Sequence, residues 1–220
     1  MHTRYYIDNL YTPDELLALV LLDGGKSYGK QSVGFYRDRE EFFKDVVYFN
    51  GRGNLYINLQ RLHPDLFGRA ADRVKPYSAT RFTNDEVIWR PRLCVDIDPV
   101  RLSGINSTDT ELESAIELGS KVYDYLIVEC DVNVVAVHSG NGVQLVFPID
   151  EPTDSPLVSQ FLKHLDNKFS TSHAKIDTSL SDAARIVRLP GTLNCKGDDI
   201  PERPRRLSHI LEMRSAAQPC

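Results

Sequence analysis

The chain predicts an α+β fold, with helices packed on a largely antiparallel sheet. Three observations carry this. Short β-branched and aromatic runs are interspersed with longer stretches of helical periodicity. Residues 134–137 are apolar, as are 143–147 apart from Gln144, and they flank Ser139-Gly140-Asn141-Gly142, the signature of an antiparallel hairpin. The 220 residues are 41% hydrophobic, enough for a core in one large domain or two small ones.

The elements follow in order. Thr12-Pro13-Asp14-Glu15 reads as a helix start, with a cap, a proline in the first turn and early acids. The apolar residues 16–20 continue it and Gly24-Gly25 ends it. Residues 33–37 predict a strand, and Asp38 caps a second helix through Phe42, Phe43 and Val46 to Tyr48. Gly51-Arg52-Gly53 is a turn, residues 55–59 a strand, and residues 63–74 read as helical. Residues 93–98 form a buried strand with its polar tip at Asp98. A Ser/Gly/Thr-rich loop spans 99–109. Thr108 or Asp109 then caps a long helix to Glu129, with Leu112, Ile116, Val122, Tyr125 and Leu126 at helical spacing. Pro156 opens another helix with Leu157, Phe161, Leu165 and Phe169 on one face, and residues 206–211 suggest a last strand.

Composition narrows the function classes. The formal charge of -5 does not fit a protein that coats duplex DNA nonspecifically, although a local basic groove suffices for nucleic acid. No apolar run approaches the ~20 residues that span a bilayer, and residues 1–5 hold no signal-like segment. Cys94, Cys130, Cys195 and Cys220 are widely spaced with no Cys-x-x-Cys pair. That spacing argues against zinc and for reduced thiols in a cytoplasmic protein.

Cys94-Val95-Asp96-Ile97-Asp98-Pro99 is the most informative stretch. On a strand, residues i and i+2 share a face, so Asp96 and Asp98 project together. Two like charges that close are costly unless a cation joins them. Oxygen ligands without Cys or His favour Mg²⁺ or Mn²⁺. The glycines of Ser139-Gly140-Asn141-Gly142 let backbone amides approach an anion, or simply close a hairpin. In Lys175-Ile176-Asp177, Ile176 points inward and Asp177 offers a third carboxylate. Arg185, Arg188 and Lys196 follow, suited to phosphate oxygens or to pairing with Asp182, Asp198 or Asp199.

Acid-x-acid, a Ser-Gly-x-Gly hairpin, then hydrophobic-Asp followed by Arg and Lys resembles the archaeo-eukaryotic primase superfamily. The chain looks most like the primase-polymerase domain of phage, plasmid and mobile-element replication proteins. The likeness runs from Asn54 to Leu211. It takes in Asn54-Leu55-Tyr56-Ile57-Asn58-Leu59, Arg92 to Arg101, Ser107 to Glu111, His138 to Leu145, Asp177-Thr178-Ser179, Ala184-Arg185-Ile186, Gly191-Thr192, Lys196-Gly197-Asp198 and Pro201 to Pro204. It implies one primase-polymerase domain over 1–220: a catalytic core over 54–212 related to the RNA-recognition-motif fold, joined to an N-terminal α/β part over 1–53. It implies that Asp96, Asp98 and Asp177 are the catalytic metal ligands. By the same likeness, Ser139, Gly140, Asn141, Gly142, Gln144, Arg185, Arg188 and Lys196 bind nucleotide, and Arg101, Arg203, Arg205 and Arg206 bind nucleic acid. One departure stands out: where the family has histidine, this chain has Gln144, which carries no charge and does not titrate. A lost charged contact is worth ~1.5–3 kcal/mol. In a two-residue turn Val137 pairs with Gln144, which turns His138 to the opposite face.

The resemblance implies templated nucleotidyl transfer with two divalent ions, NTP or dNTP substrates and a DNA template or primer. The alternatives are a non-catalytic module that binds nucleotide or single-stranded DNA alongside a helicase, and a metal-dependent nuclease. No Gly-x-x-x-x-Gly-Lys motif occurs, so a helicase is expected only as a removed fusion or a separate partner. Tyr36, Tyr56 and Tyr123 are candidates for sensing the nucleotide sugar.

Overall fold

The computed structural model describes residues 1–78 and 80–212. The elements are α1 (His2–Leu10), β1 (Leu17–Leu22), α2 (Gly25–Tyr28), β2 (Gln31–Tyr36), α3 (Arg39–Phe49), β3 (Asn54–Asn58), β4 (Arg61–Leu62) and β5 (Val87–Pro99). They continue with α4 (Asp109–Val128), β6 (Val135–His138), β7 (Val143–Glu151), α5 (Leu157–Phe169), β8 (Ala174–Ile176), β9 (Ile186–Arg188) and β10 (His209–Ile210). Short 3-10 turns lie at Pro64–Arg69, Asn84–Glu86 and Thr178–Ser181. Every pairing between these strands is antiparallel.

One sheet runs β2-β1-β3-β9. The other runs β10-β6-β7-β5, with β4 and β8 pairing opposite ends of β5. The long strand β5 organises this second sheet. Its odd-numbered neighbours Ile97 and Val143 face α4, where Gly119 lets the helix approach so closely that a Cβ would lie 3.1 Å from Val143. Its even-numbered positions face the N-terminal part: Arg92 meets Glu15 in a buried ion pair. The apolar stripe Leu112, Ala115, Leu118, Val122 and Leu126 seats α4 on the sheet, and the reciprocal capping box of Thr108 and Glu111 starts it. One core runs through both sheets, and a smaller one covers the far side of β1 and β2.

Several sequence expectations are corrected. Residues 17–20 belong to strand β1 and Leu16 immediately precedes it, so none of residues 16–20 is helical. β1 lies between β2 and β3, with Leu17, Leu19 and Leu21 in the main core and Leu16, Ala18 and Val20 in the second. A strand buried on both faces is continuously apolar and mimics a buried helix. The capping signals are used, but for a single turn in which Glu15 accepts from the Thr12 N–H at 2.9 Å. The helix expected over 63–74 shrinks to the 3-10 turn. Beyond it, Phe35 N–H donates to the Ala70 carbonyl and Lys75 N–H to that of Val33, so this segment pairs with β2. The buried stripe of α5 is Val158, Leu162 and Leu165, while Leu157 is 55% exposed in the first turn. The strand expected over 206–211 is confined to His209–Ile210.

Candidate active site

Asp96 pairs with Gln144 across β5 and β7. On the other edge of β5, Ile97 pairs with Ile176, and the Asp177 N–H donates to the Asp96 carbonyl at 2.8 Å, extending that ladder by one residue. Gln144, Asp96 and Asp177 therefore lie in one row on one face, with neighbouring Cβ atoms about 5 Å apart. Asp98 stands one pleat further along the same face. The Asp177 carboxylate also caps the following 3-10 turn, its Oδ1 accepting from Ser179 N–H at 2.8 Å.

The hairpin is closed by Ser139 N–H donating to the Gly142 carbonyl at 2.9 Å and by Gly142 N–H donating back to Ser139 Oγ at 3.1 Å. Gly140 has φ 96°, a left-handed region that favours glycine. A Cβ on Gly142 would lie 2.3 Å from the Ile97 carbonyl oxygen and 3.1 Å from Asp98 Oδ1, so only glycine lets the turn rest on the acidic strand. Asn141 Oδ1 accepts from the Ser107 N–H at 2.8 Å, and Asn194 Nδ2 donates to the Ser139 carbonyl at 3.0 Å. Val137 pairs with Gln144 and His138 with Val143, so His138 does lie on the opposite face from Gln144. It stacks on His209 with ring centroids 4.7 Å apart.

These elements enclose a pocket of about 80 Å³, with room for a hydrated ion or a phosphate group rather than a whole nucleoside. Asp96, Asp98, Arg101, Ser139, Asn141, Gln144, Arg188 and Lys196 line it, together with Tyr56 and Asn194. Arg188 is buried, and burial pulls its pKa down, but a guanidinium stays cationic at neutral pH. Its Nη2 donates to Asn54 Oδ1 at 3.1 Å and to the Tyr56 hydroxyl at 3.0 Å. Arg101 Nη1 lies 3.3 Å from Asp98 Oδ1 and its Nε donates to the Ile105 carbonyl.

Asp96 carries a clear electrostatic signal. Burial first, then the charges of Asp98 and Asp177, push its carboxyl well above the usual range, against a hydrogen bond from Gln144 and the charge of Lys196. Among the described residues Asp96 is in no ion pair. Oxygen donors with this excess of negative charge fit a hard divalent cation. Among the described residues, however, no three His, Cys, Asp or Glu side chains are drawn together tightly enough to form a finished metal site.

Other residues singled out in the sequence lie elsewhere. Arg185 is outside the pocket and pairs with Asp182 at 3.1 Å. Arg203 pairs with Glu111 at 2.7 Å, Arg206 with Asp109 at 2.7 Å, and Arg205 donates to the Gly197 carbonyl at 2.8 Å. These three tie the C-terminal segment to α4 and its own loop. Tyr36 is buried against Asp45, and Tyr123 packs on the core, leaving Tyr56 as the one of the three tyrosines in the pocket wall. Asn54 and Asn194 were not singled out as site residues. Their signal was present only as polar residues within otherwise apolar or loop contexts.

No family model matches the chain, and no curated protein matches it. Among solved structures it is similar to the polymerase domain from Mycobacterium tuberculosis ligase D in complex with DNA. The identity is 18% and the TM-score 0.38, over 70% of this chain and 51% of that one. The chain thus spans about half the length of that neighbour. A likeness this distant carries no weight for fold or function. Among the described residues no helix is long and apolar enough to cross a membrane.

Proposed function

We propose that this pocket transfers a nucleotide from a nucleoside triphosphate to the 3′-hydroxyl of a DNA primer or initiating nucleotide, as a primase-polymerase. The observation that supports it is the Asp96 carboxylate, crowded by Asp98 and Asp177 and, among the described residues, without an ion pair, in the same pocket as Arg188 and Lys196. Acids and cations side by side suit a substrate that brings both metal and phosphate. Asp96 and Asp98 hold Mg²⁺ or Mn²⁺, with Asp177 as the third carboxylate. The bound ions supply Lewis acidity at the attacking hydroxyl and at the leaving pyrophosphate. Arg188 and Lys196 bind triphosphate oxygens, and the Ser139–Gly142 turn seats a phosphate against its amides. The protein's share of the chemistry is positioning and charge neutralisation. The ordered motifs support the same domain type and a DNA template as partner.

Primer extension tests this. With Mn²⁺ or Mg²⁺ the chain is expected to lengthen a labelled primer on a template, and Asp98→Ala to abolish product while keeping the circular-dichroism spectrum and melting temperature near wild type. Normal extension by Asp98→Ala would remove the metal assignment. Gln144 in place of histidine, and the engagement of Asp177 as a turn cap, favour a second reading: a nucleotide-binding module without turnover. Nucleotide and primer binding with no product in either metal selects it, and shortening of the labelled strand would instead mark a nuclease.

A further inference from the structure

We propose that Asn54 and Tyr56 on β3 are positioning residues that fix Arg188 as an anchor for the polyphosphate of a nucleotide, so that the N-terminal sheet completes the site. This rests on the pocket being the nucleotide site proposed above. Tyr56 and Arg188 are directly opposed in the β3–β9 ladder, so both project from one face. Arg188 is only 3% exposed. Its Nη2 is committed to Asn54 Oδ1 and the Tyr56 hydroxyl, at 3.1 and 3.0 Å. The guanidinium also lies 4.4 Å from the centroid of the Tyr56 ring. Hydroxyl, amide and ring together fix the plane of the guanidinium, because rotation would forfeit them. Among the described residues its Nη1 is buried without a partner, although Arg188 lines the pocket. A buried, unpaired donor on a cation is costly unless an acceptor arrives.

Asn54 does a second job. Its Oδ1 also accepts from the Cys195 N–H at 2.9 Å, one residue before Lys196. A single amide oxygen therefore links Arg188 to the segment that carries the other pocket cation. Asp98 is already paired with Arg101, and Asp96, whose charge acts on both Arg188 and Lys196, is one carboxylate against two cations. A polyphosphate has the charge and the several oxygens to satisfy both cations; a lone carboxylate does not.

Calorimetric titration of the full chain with inorganic tripolyphosphate tests this. Wild type is expected to bind. Arg188→Ala weakens binding at least about tenfold, and Tyr56→Phe, which removes only the hydroxyl, about fivefold. The double variant is expected to be no weaker than Arg188→Ala alone, since the hydroxyl acts only through the guanidinium. Wild-type affinity in Tyr56→Phe, additive losses, or no tripolyphosphate binding by wild type each overturns the proposal. Should Tyr56→Phe lose its circular-dichroism signal, Arg188→Lys decides. An ammonium cannot hold Asn54, Tyr56 and an anion in one plane, so about a tenfold loss is expected and full affinity overturns the proposal. Primer extension separates the two readings. An unchanged nucleotide KM in an active Tyr56→Phe sinks the positioning role and leaves nucleotidyl transfer standing. Coupled tripolyphosphate binding without any extension does the reverse.

Discussion

Asp96 is held in a place where ionisation is unfavourable. Its carboxyl is raised by burial and by Asp98 and Asp177, so the apo fold is relieved when that carboxyl is neutral. A carboxyl crowded in this way is relieved by a bound cation, which is what the proposed function requires. Asp96→Asn, nearly isosteric and uncharged, is therefore expected to stabilise the apo protein by about 1–2 kcal/mol, raising its melting temperature by about 2–8 °C. On the proposed function, wild type is expected to extend a primer and to melt higher with Mn²⁺, and the same variant to lose both. A variant less stable than wild type, or one still stabilised by Mn²⁺, would contradict the assignment. The acids were legible because strand parity alone puts Asp96 and Asp98 on one face. The Arg188 clamp was not, because its hydroxyl partner Tyr56 is 132 residues away and the β3–β9 ladder that joins them leaves no local pattern.

At the scale of elements, the β6–β7 hairpin depends on His138. Its Nδ1 accepts from the Gly140 N–H at 3.1 Å, and its ring is buried against His209 of β10, with Arg206 nearby. Burial, then the like charges of His209 and Arg206, lower its pKa from 6.5 to about 4. Between those values the unfolded chain takes up a proton that the fold refuses. The stability that neutral His138 confers is thus complete above about pH 6.5 and lost as pH falls toward 4, about 2 kcal/mol of it between pH 7 and pH 5. In urea titrations His138→Phe, which keeps a ring on His209, is expected to lose about 2 kcal/mol less than wild type over that interval. Equal losses would show that His138 does not titrate this way. The hairpin itself was legible from its glycines and flanking apolar runs, whereas β1 was not. A six-residue strand buried on both faces carries no period to separate it from a helix.

The whole molecule turns on the junction between its two sheets, because the pocket takes Asp96 and Asp98 from one and Tyr56 and Arg188 from the other. Arg92 on β5 is the bolt. It meets Glu15 at 3.0 and 2.5 Å, donates to the Leu59 carbonyl at 2.8 Å and to that of Leu10, and lies 4.0 Å from the centroid of the Tyr11 ring. Both side chains of the pair are 3% exposed. Burial alone would raise the Glu15 carboxyl, but the hydrogen bond and charge of Arg92 outweigh it and hold it below the usual carboxylate range. The sequence showed neither this pair nor the return of β9 to the N-terminal sheet, since both join segments far apart in the chain. Removing one partner leaves the other charge buried and alone, which costs about 3–5 kcal/mol. Glu15→Gln is accordingly expected to lower the melting temperature by about 10 °C. Replacing both partners, as Glu15→Leu with Arg92→Met, removes the stranded charge and should restore part of that loss. Calorimetry on the two variants decides: a double variant no more stable than Glu15→Gln would mean that Arg92 holds the sheets together mainly through its carbonyl and ring contacts, and that its charge pairing with Glu15 is secondary.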